Sequence, residues 1–72
     1  MIVKTFSNSR VGNDCLIQDT VLLLCVDGIY HIMRQTRYIG GWCSDKPRLA
    51  TYVASDEQDA HKIFNRVVKE VI

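Results

Sequence analysis

The sequence predicts an α+β fold, in which a four-stranded antiparallel sheet (ββββα order) carries one C-terminal amphipathic helix on one face. Two patterns predict it: an apolar stripe at helical spacing near the C-terminus, and an Asp-Gly pair between two apolar runs. A chain of 72 residues is enough for a single small domain with one shared core. We expect the sheet to occupy about residues 1–54 and the helix about residues 56–71.

The apolar stripe predicts the helix, because its members recur at i, i+3, i+4, i+7, i+8 and i+11. They are Ala60, Ile63, Phe64, Val67, Val68 and Val71. Ser55 and Gln58 resemble a capping box, and acidic residues follow in the first turn, where the helix dipole favours negative charge. We therefore expect Ser55 to cap the helix and Lys69 to lie near its end.

The Asp-Gly pair predicts the central hairpin. Asp27-Gly28 lies between the runs Val21 to Val26 and Ile29 to Ile39, and this dipeptide favours a two-residue type I′ turn. Such a turn sets the register, since side chains alternate between the two faces. One face should hold the pairs Val26/Ile29, Leu24/His31 and Leu22/Met33, and the other the pairs Cys25/Tyr30, Leu23/Ile32 and Val21/Arg34.

Two further strands are predicted at the edges of the sheet. Ile2 to Phe6 and Arg48 to Ala54 are rich in β-branched and aromatic residues. Ser-Asn-Ser, Gly-Asn-Asp and Lys-Pro clusters bound these segments and are typical of turns and loops.

The hairpin is apolar on both faces near its turn, although one helix covers only one face of a sheet. The other face would expose an apolar patch, which monomeric proteins seldom leave uncovered. The candidate interface residues are Leu22, Leu24, Val26, Ile29, His31 and Met33. A homodimer is the first candidate to cover them, because two-fold self-association is the commonest solution among soluble proteins. Alternatively, the segment with Cys15, Leu16 and Ile17 curls back over the sheet, or a different protein binds there.

Composition and charge narrow the class of protein. A net charge of +1 gives no whole-chain signal for nucleic acid or an anionic membrane. The longest apolar run, Val21 to Val26, is too short to cross a bilayer, so neither a signal peptide nor a membrane span is expected. Three cysteines are too few for a disulfide framework, and the odd number favours a reducing cytoplasm.

The residues that could take part in catalysis or metal binding do not form a recognisable motif. Cysteine and histidine occur without CxxC or HxxxH spacing, and neither GxxxxGK[ST] nor GxGxxG is present. The scattered aspartates, Asp19 among them, are expected in loops and turns, where they bond to nearby backbone groups. The sequence therefore predicts no catalytic residues, no metal site and no cofactor.

A glycine-rich loop and several basic residues are candidates for contacting a partner. They are Trp42, Lys46, Arg48, Lys62, Arg66 and Lys69. Trp42 either packs over the sheet edge or serves as an exposed contact. Arg34 is expected to pair diagonally with Asp19, and local ion pairs such as Arg66 with Glu70 should mute the basic helix stripe.

These patterns together favour a small non-enzymatic protein-interaction module, such as an adaptor, regulator or inhibitor. The alternative is a nucleic-acid-binding module that uses a basic and aromatic sheet edge or the basic helix stripe. No sequence motif identifies the partner.

Overall fold

The computed structural model describes residues 1–12, 15–40 and 47–72, and it confirms the α+β fold. Four antiparallel strands lie side by side in chain order, and one C-terminal helix packs on them. The elements are β1 (Ile2–Val11), β2 (Leu16–Val26), β3 (Ile29–Ile39), β4 (Arg48–Ala54) and α1 (Glu57–Val71). In the described ranges, no helix is long and apolar enough to cross a membrane.

The central hairpin has the predicted turn and register. Asp27 and Gly28 both have positive φ angles, 52° and 78°, as a type I′ turn requires. All six predicted cross-strand pairs occur, from Val26/Ile29 at the turn to Val21/Arg34. The assignment of side chains to the two faces of the sheet is therefore confirmed.

β1 and β2 are longer than the sequence pattern indicated. β1 continues from Phe6 through the Ser-Asn-Ser cluster to Val11, and β2 begins at Leu16. Ser7 pairs with Thr20 and Ser9 with Gln18, so the polar ends of the two strands pair with each other. Because Leu16 and Ile17 lie within β2, they do not curl back over the sheet, and that alternative is wrong.

The helix begins one residue later than predicted, with Asp56 rather than Ser55 as its N-cap. The Asp56 backbone is extended, and its carboxylate accepts a hydrogen bond from the Gln58 N–H at 3.2 Å. The predicted Ser55 capping box is therefore wrong, because the Asp56 carboxylate satisfies this first-turn donor. The acidic first turn and Lys69 in the last turn are confirmed.

The core lies between the helix and one face of the sheet. The helical stripe packs on it: Ala60, Phe64, Val67 and Val71 are buried, and Ile63 and Val68 are partly buried against them. The sheet contributes Val21, Leu23, Ile32 and Ala54. The helix therefore covers the face opposite to Leu22 and Leu24.

The helix is shorter than the sheet it covers. Its 15 residues span about 22 Å, whereas the 11 residues of β3 span about 36 Å. The end of the helix is joined to the sheet where the Asn8 Nδ2 donates to the Val71 carbonyl oxygen at 3.1 Å. The helix does not cover the end of the sheet farthest from the Asp27-Gly28 turn, which we call the distal end.

Candidate interaction surface

The face of the sheet opposite to the helix carries all six candidate interface residues. Cross-strand pairing sets Leu22 beside Met33, Leu24 beside His31 and Val26 beside Ile29. We call this side of the sheet the open face, because no element within residues 1–12, 15–40 and 47–72 packs on it. The helix therefore leaves these residues on the side where the sequence pattern placed them.

The side chains of the open face remain accessible although their neighbours shield one another. Val26 and Ile29 are 47% and 43% exposed, and the other four residues are partly buried. β4 adds Val53, which lies directly opposite His31 and is 61% exposed. Sequence reasoning omitted Val53, although the alternation of Leu49, Thr51 and Val53 places it on this face.

The open face is apolar at both ends and polar in the middle. The end near the turn holds the six candidate residues, and the distal end holds Val11, Leu16 and Ile39, all exposed. Between them, Thr20 pairs with Gln35 and Gln18 with Arg37, and the exposed Leu49 of β4 adds an apolar side chain opposite Gln35. The surface therefore has two apolar patches separated by a largely uncharged belt.

His31 occupies a position that suits an interface. It lies between Leu24 of β2 and Val53 of β4, and its side chain is partly buried. An imidazole keeps both a donor and an acceptor when neutral, so it needs a polar partner wherever a second surface covers it. Its predicted role as a hydrogen-bonded interfacial residue remains a prediction.

The covered face holds a buried carboxylate that sequence reasoning assigned to a loop. Asp19 lies in β2 and is 0% exposed. Its Oδ1 accepts a hydrogen bond from the Thr36 hydroxyl at 2.6 Å, and Arg10 lies 3.8 Å from its Oδ2. Among the described residues, Oδ2 has no hydrogen-bond partner. The loop assignment is wrong because β2 extends to Leu16; Asp19, two residues before Val21, shares its face.

Arg34 pairs with the helix rather than with Asp19. Its guanidinium donates to the Glu70 carboxylate at 3.4 Å, so the predicted diagonal pair with Asp19 is wrong. The predicted pair between Glu70 and Arg66 is wrong for the same reason. Arg66 instead lies over the Tyr52 ring, with its guanidinium 5.8 Å from the ring centroid. These contacts join the C-terminal half of the helix to β3 and β4.

A groove lies beside this ion pair, mainly on the covered side of the sheet, and Leu49 borders it from the edge strand β4. It has a volume of about 410 Å³ and is lined by Arg34, Thr36, Arg48, Leu49 and Ala50. Arg48 lies opposite Thr36 in the pairing of β3 with β4, and Ala50 lies opposite Arg34. Two arginines from neighbouring strands thus border one open space.

The other candidate partner contacts are distributed over different elements. Lys62, Arg66 and Lys69 are exposed on the helix, as the stripe predicted, and Arg48 is exposed at the start of β4. Trp42 and Lys46 lie outside the described residues, so their predicted contacts are not placed. The basic residues of β3 also divide between the faces, since Arg34 and Arg37 are three positions apart.

Two of the three cysteines lie within the described residues. Cys15 and Cys25 are free and partly buried, and Cys43 lies outside the described residues. No group of three or more His, Cys, Asp or Glu in the described part of the chain could hold a metal ion. Burial first, and then the nearby negative charge of Glu57, raises the pKa of the Tyr30 hydroxyl above its ordinary value. These side chains supply local structure and no recognisable catalytic arrangement among the described residues.

Comparisons with known proteins add no class to this description. No protein-family model matches the chain, and no curated protein or solved structure is significantly similar to it. The case for a function therefore depends on the surfaces of this chain alone.

Proposed function

We propose that the chain is a non-enzymatic protein-interaction module that binds through the open face of its sheet. Its first partner is a second copy of the same chain, which makes the functional unit a homodimer. The free, partly buried thiols of Cys15 and Cys25 suit a reducing compartment, and we place the module in the cytoplasm.

One observation carries this proposal: the open face presents contiguous apolar side chains on rigid, paired strands. Leu22, Leu24 and Met33 lie side by side in the register of β2 and β3, and Val53 extends the row to β4. Moving a large, fully exposed apolar side chain out of water stabilises a complex by about 1.5–3 kcal/mol. A partner that covers this row would gain part of that energy without rearranging the sheet.

The size of the open face suits a second copy. The backbone extends 41 and 19 Å in its two longest directions, so a partner with the dimensions of the chain itself can span the whole face. A smaller ligand would leave much of the apolar surface in water. A flat partner of similar size is required to cover it.

The pattern of the open face is also self-complementary. A two-fold axis in the plane of the face and across the strands, between the Thr20/Gln35 and Gln18/Arg37 rows, brings the belt over itself. The same rotation brings Leu16 and Ile39 of one copy over Leu22 and Met33 of the other. Arg37 is the one charged side chain we assign to this belt, so few like charges meet. Isologous interfaces require such a match between a surface and its own rotated copy.

The proposal is tested by the solution mass of the protein, measured by light scattering during size exclusion at two protein and two salt concentrations. We expect a dimer in both salts, because apolar burial is not screened by ions. Leu24→Asp should give a monomer or an unfolded chain, since a buried unpaired carboxylate is costly to desolvate.

Two further variants distinguish loss of association from loss of folding. Val53→Lys changes a largely exposed side chain, so it should keep the far-UV circular dichroism of the wild type and still weaken the dimer. Ile72→Asp makes a matched apolar-to-charged change at an exposed position after the helix and should leave the dimer intact. A folded wild-type monomer at all concentrations, or a dimer that Leu24→Asp and Val53→Lys leave unchanged, contradicts the proposed self-association.

A further inference from the structure

The groove beside the end of the helix is a second distinctive surface, mainly on the opposite side of the sheet from the open face. Its lining residues all come from β3 and β4. Ala50 contributes only a methyl group, which leaves room between the side chains of Arg34 and Arg48. The volume of about 410 Å³ falls within the range of small-molecule sites.

The two arginines border this space from neighbouring strands. Arg48 is directly opposite Thr36, and Arg34 is two residues from Thr36 along β3, so both arginines project from the same face. The Arg34 guanidinium is restrained by the Glu70 carboxylate at 3.4 Å.

The negative charge beneath the groove is partly compensated. The Asp19 carboxylate accepts from the Thr36 hydroxyl at 2.6 Å and lies 3.8 Å from the Arg10 guanidinium. Because Asp19 is fully buried, it does not line the groove. Glu70 is the acidic group that a ligand of Arg34 would have to displace or share.

We propose that this groove binds the phosphate group of a small molecule, with Arg34 and Arg48 as its ligands. A carboxylate is satisfied by one guanidinium fork, whereas a phosphate monoester presents three strong acceptor oxygens and can accept from two forks together. Both arginines project from the covered face, so the success or failure of this site does not decide the proposed dimerisation.

The test is a titration of the full chain with inorganic phosphate at constant ionic strength, followed by backbone and arginine side-chain NMR shifts. Saturable shifts should concentrate at residues 34–36 and 48–50. Arg48→Gln should weaken binding about tenfold or more, because a hydrogen bond to a charged group contributes about 1.5–3 kcal/mol. Arg37→Gln removes the same charge from the other face of β3 and should leave the affinity unchanged.

Glu70→Gln provides a test in the opposite direction. It should strengthen phosphate binding about two- to fivefold, since it frees Arg34 from a partly exposed ion pair. Shifts that grow linearly without saturation, equal losses in Arg48→Gln and Arg37→Gln, or weaker binding in Glu70→Gln would overturn the proposal.

The phosphate group could belong to a small molecule or to a nucleic acid. Repeating the titration with a nucleoside monophosphate and with a single-stranded oligonucleotide distinguishes the two. Equal or tighter binding of the nucleoside monophosphate, lost in Arg48→Gln, supports a small-molecule site. Tighter binding of the oligonucleotide that also depends on Lys62 and Lys69 of the helix would overturn it in favour of a nucleic-acid surface.

Discussion

Replacing Thr36 with valine should destabilise the fold by removing the hydrogen bond to the buried Asp19 carboxylate. Thr36 and Asp19 are 4% and 0% exposed, and their side chains are joined by a 2.6 Å bond. Valine has nearly the shape of threonine, with a methyl group in place of the hydroxyl. The substitution therefore removes the donor while leaving the packing almost unchanged.

The expected loss follows from what remains around the carboxylate. A hydrogen bond to a charged group contributes about 1.5–3 kcal/mol, and a buried acceptor left without a donor costs a further desolvation penalty. Arg10 can move closer than 3.8 Å because it is half-exposed, which limits that penalty. We expect the free energy of unfolding to fall by about 2–4 kcal/mol, out of about 4–11 kcal/mol for a domain of 72 residues.

Urea unfolding, followed by far-UV circular dichroism, measures this loss. Thr36→Ser is the matched control, because it keeps the hydroxyl and should lose only about 1 kcal/mol for the missing methyl group. The double variant Asp19→Val with Thr36→Val should be more stable than Thr36→Val alone, since an apolar pair leaves no buried charge. A loss below about 0.5 kcal/mol in Thr36→Val would refute the reasoning.

Two other features give direct predictions. Asp56→Ala should lower the free energy of unfolding by about 1 kcal/mol, whereas Ser55→Ala should change it by less than about 0.5 kcal/mol; equal losses in urea unfolding would contradict Asp56 as the N-cap. The pKa of Tyr30 is raised in the folded state, so the unfolded chain ionises first, and stability should decrease as pH rises above 10.0 through the folded pKa. In urea midpoints measured from roughly pH 8 to pH 11, Tyr30→Phe should show a smaller decrease than the wild type, and identical slopes would argue against this linkage.

The hairpin and the helix were predictable because each depends on a local signal. Asp27-Gly28 selects a turn with two positive φ angles, and that turn alone determines which residues face each other across β2 and β3. The helix follows from spacing, because the residues of its apolar stripe become buried or partly buried. The N-cap differed by one residue, since Ser55 and Asp56 are both favoured at that position.

The polar contacts were not predictable, because they depend on how distant segments meet. Asp19 pairs with Thr36 only if β2 begins several residues before its apolar run. Leu16, Ile17 and Thr20 are compatible with that extension, but the polar residues Gln18 and Asp19 interrupt the apolar pattern. Glu70 contacts Arg34 because the last turn of the helix lies over the sheet, where Asn8 of β1 also bonds to Val71. Helical spacing favoured Arg66 as its partner, since i,i+4 neighbours are the nearest charges in an isolated helix.

The apolar residues on the two faces of the sheet contribute to different processes, folding on one face and association on the other. Leu23 and Ile32 are covered by the helix in the single chain, so truncating them removes energy from folding itself. Val26, Ile29 and Val53 remain exposed, and their burial contributes only when another surface covers them. Polar substitutions at these three positions should therefore affect association far more than folding, which makes the open face separable from the fold that supports it.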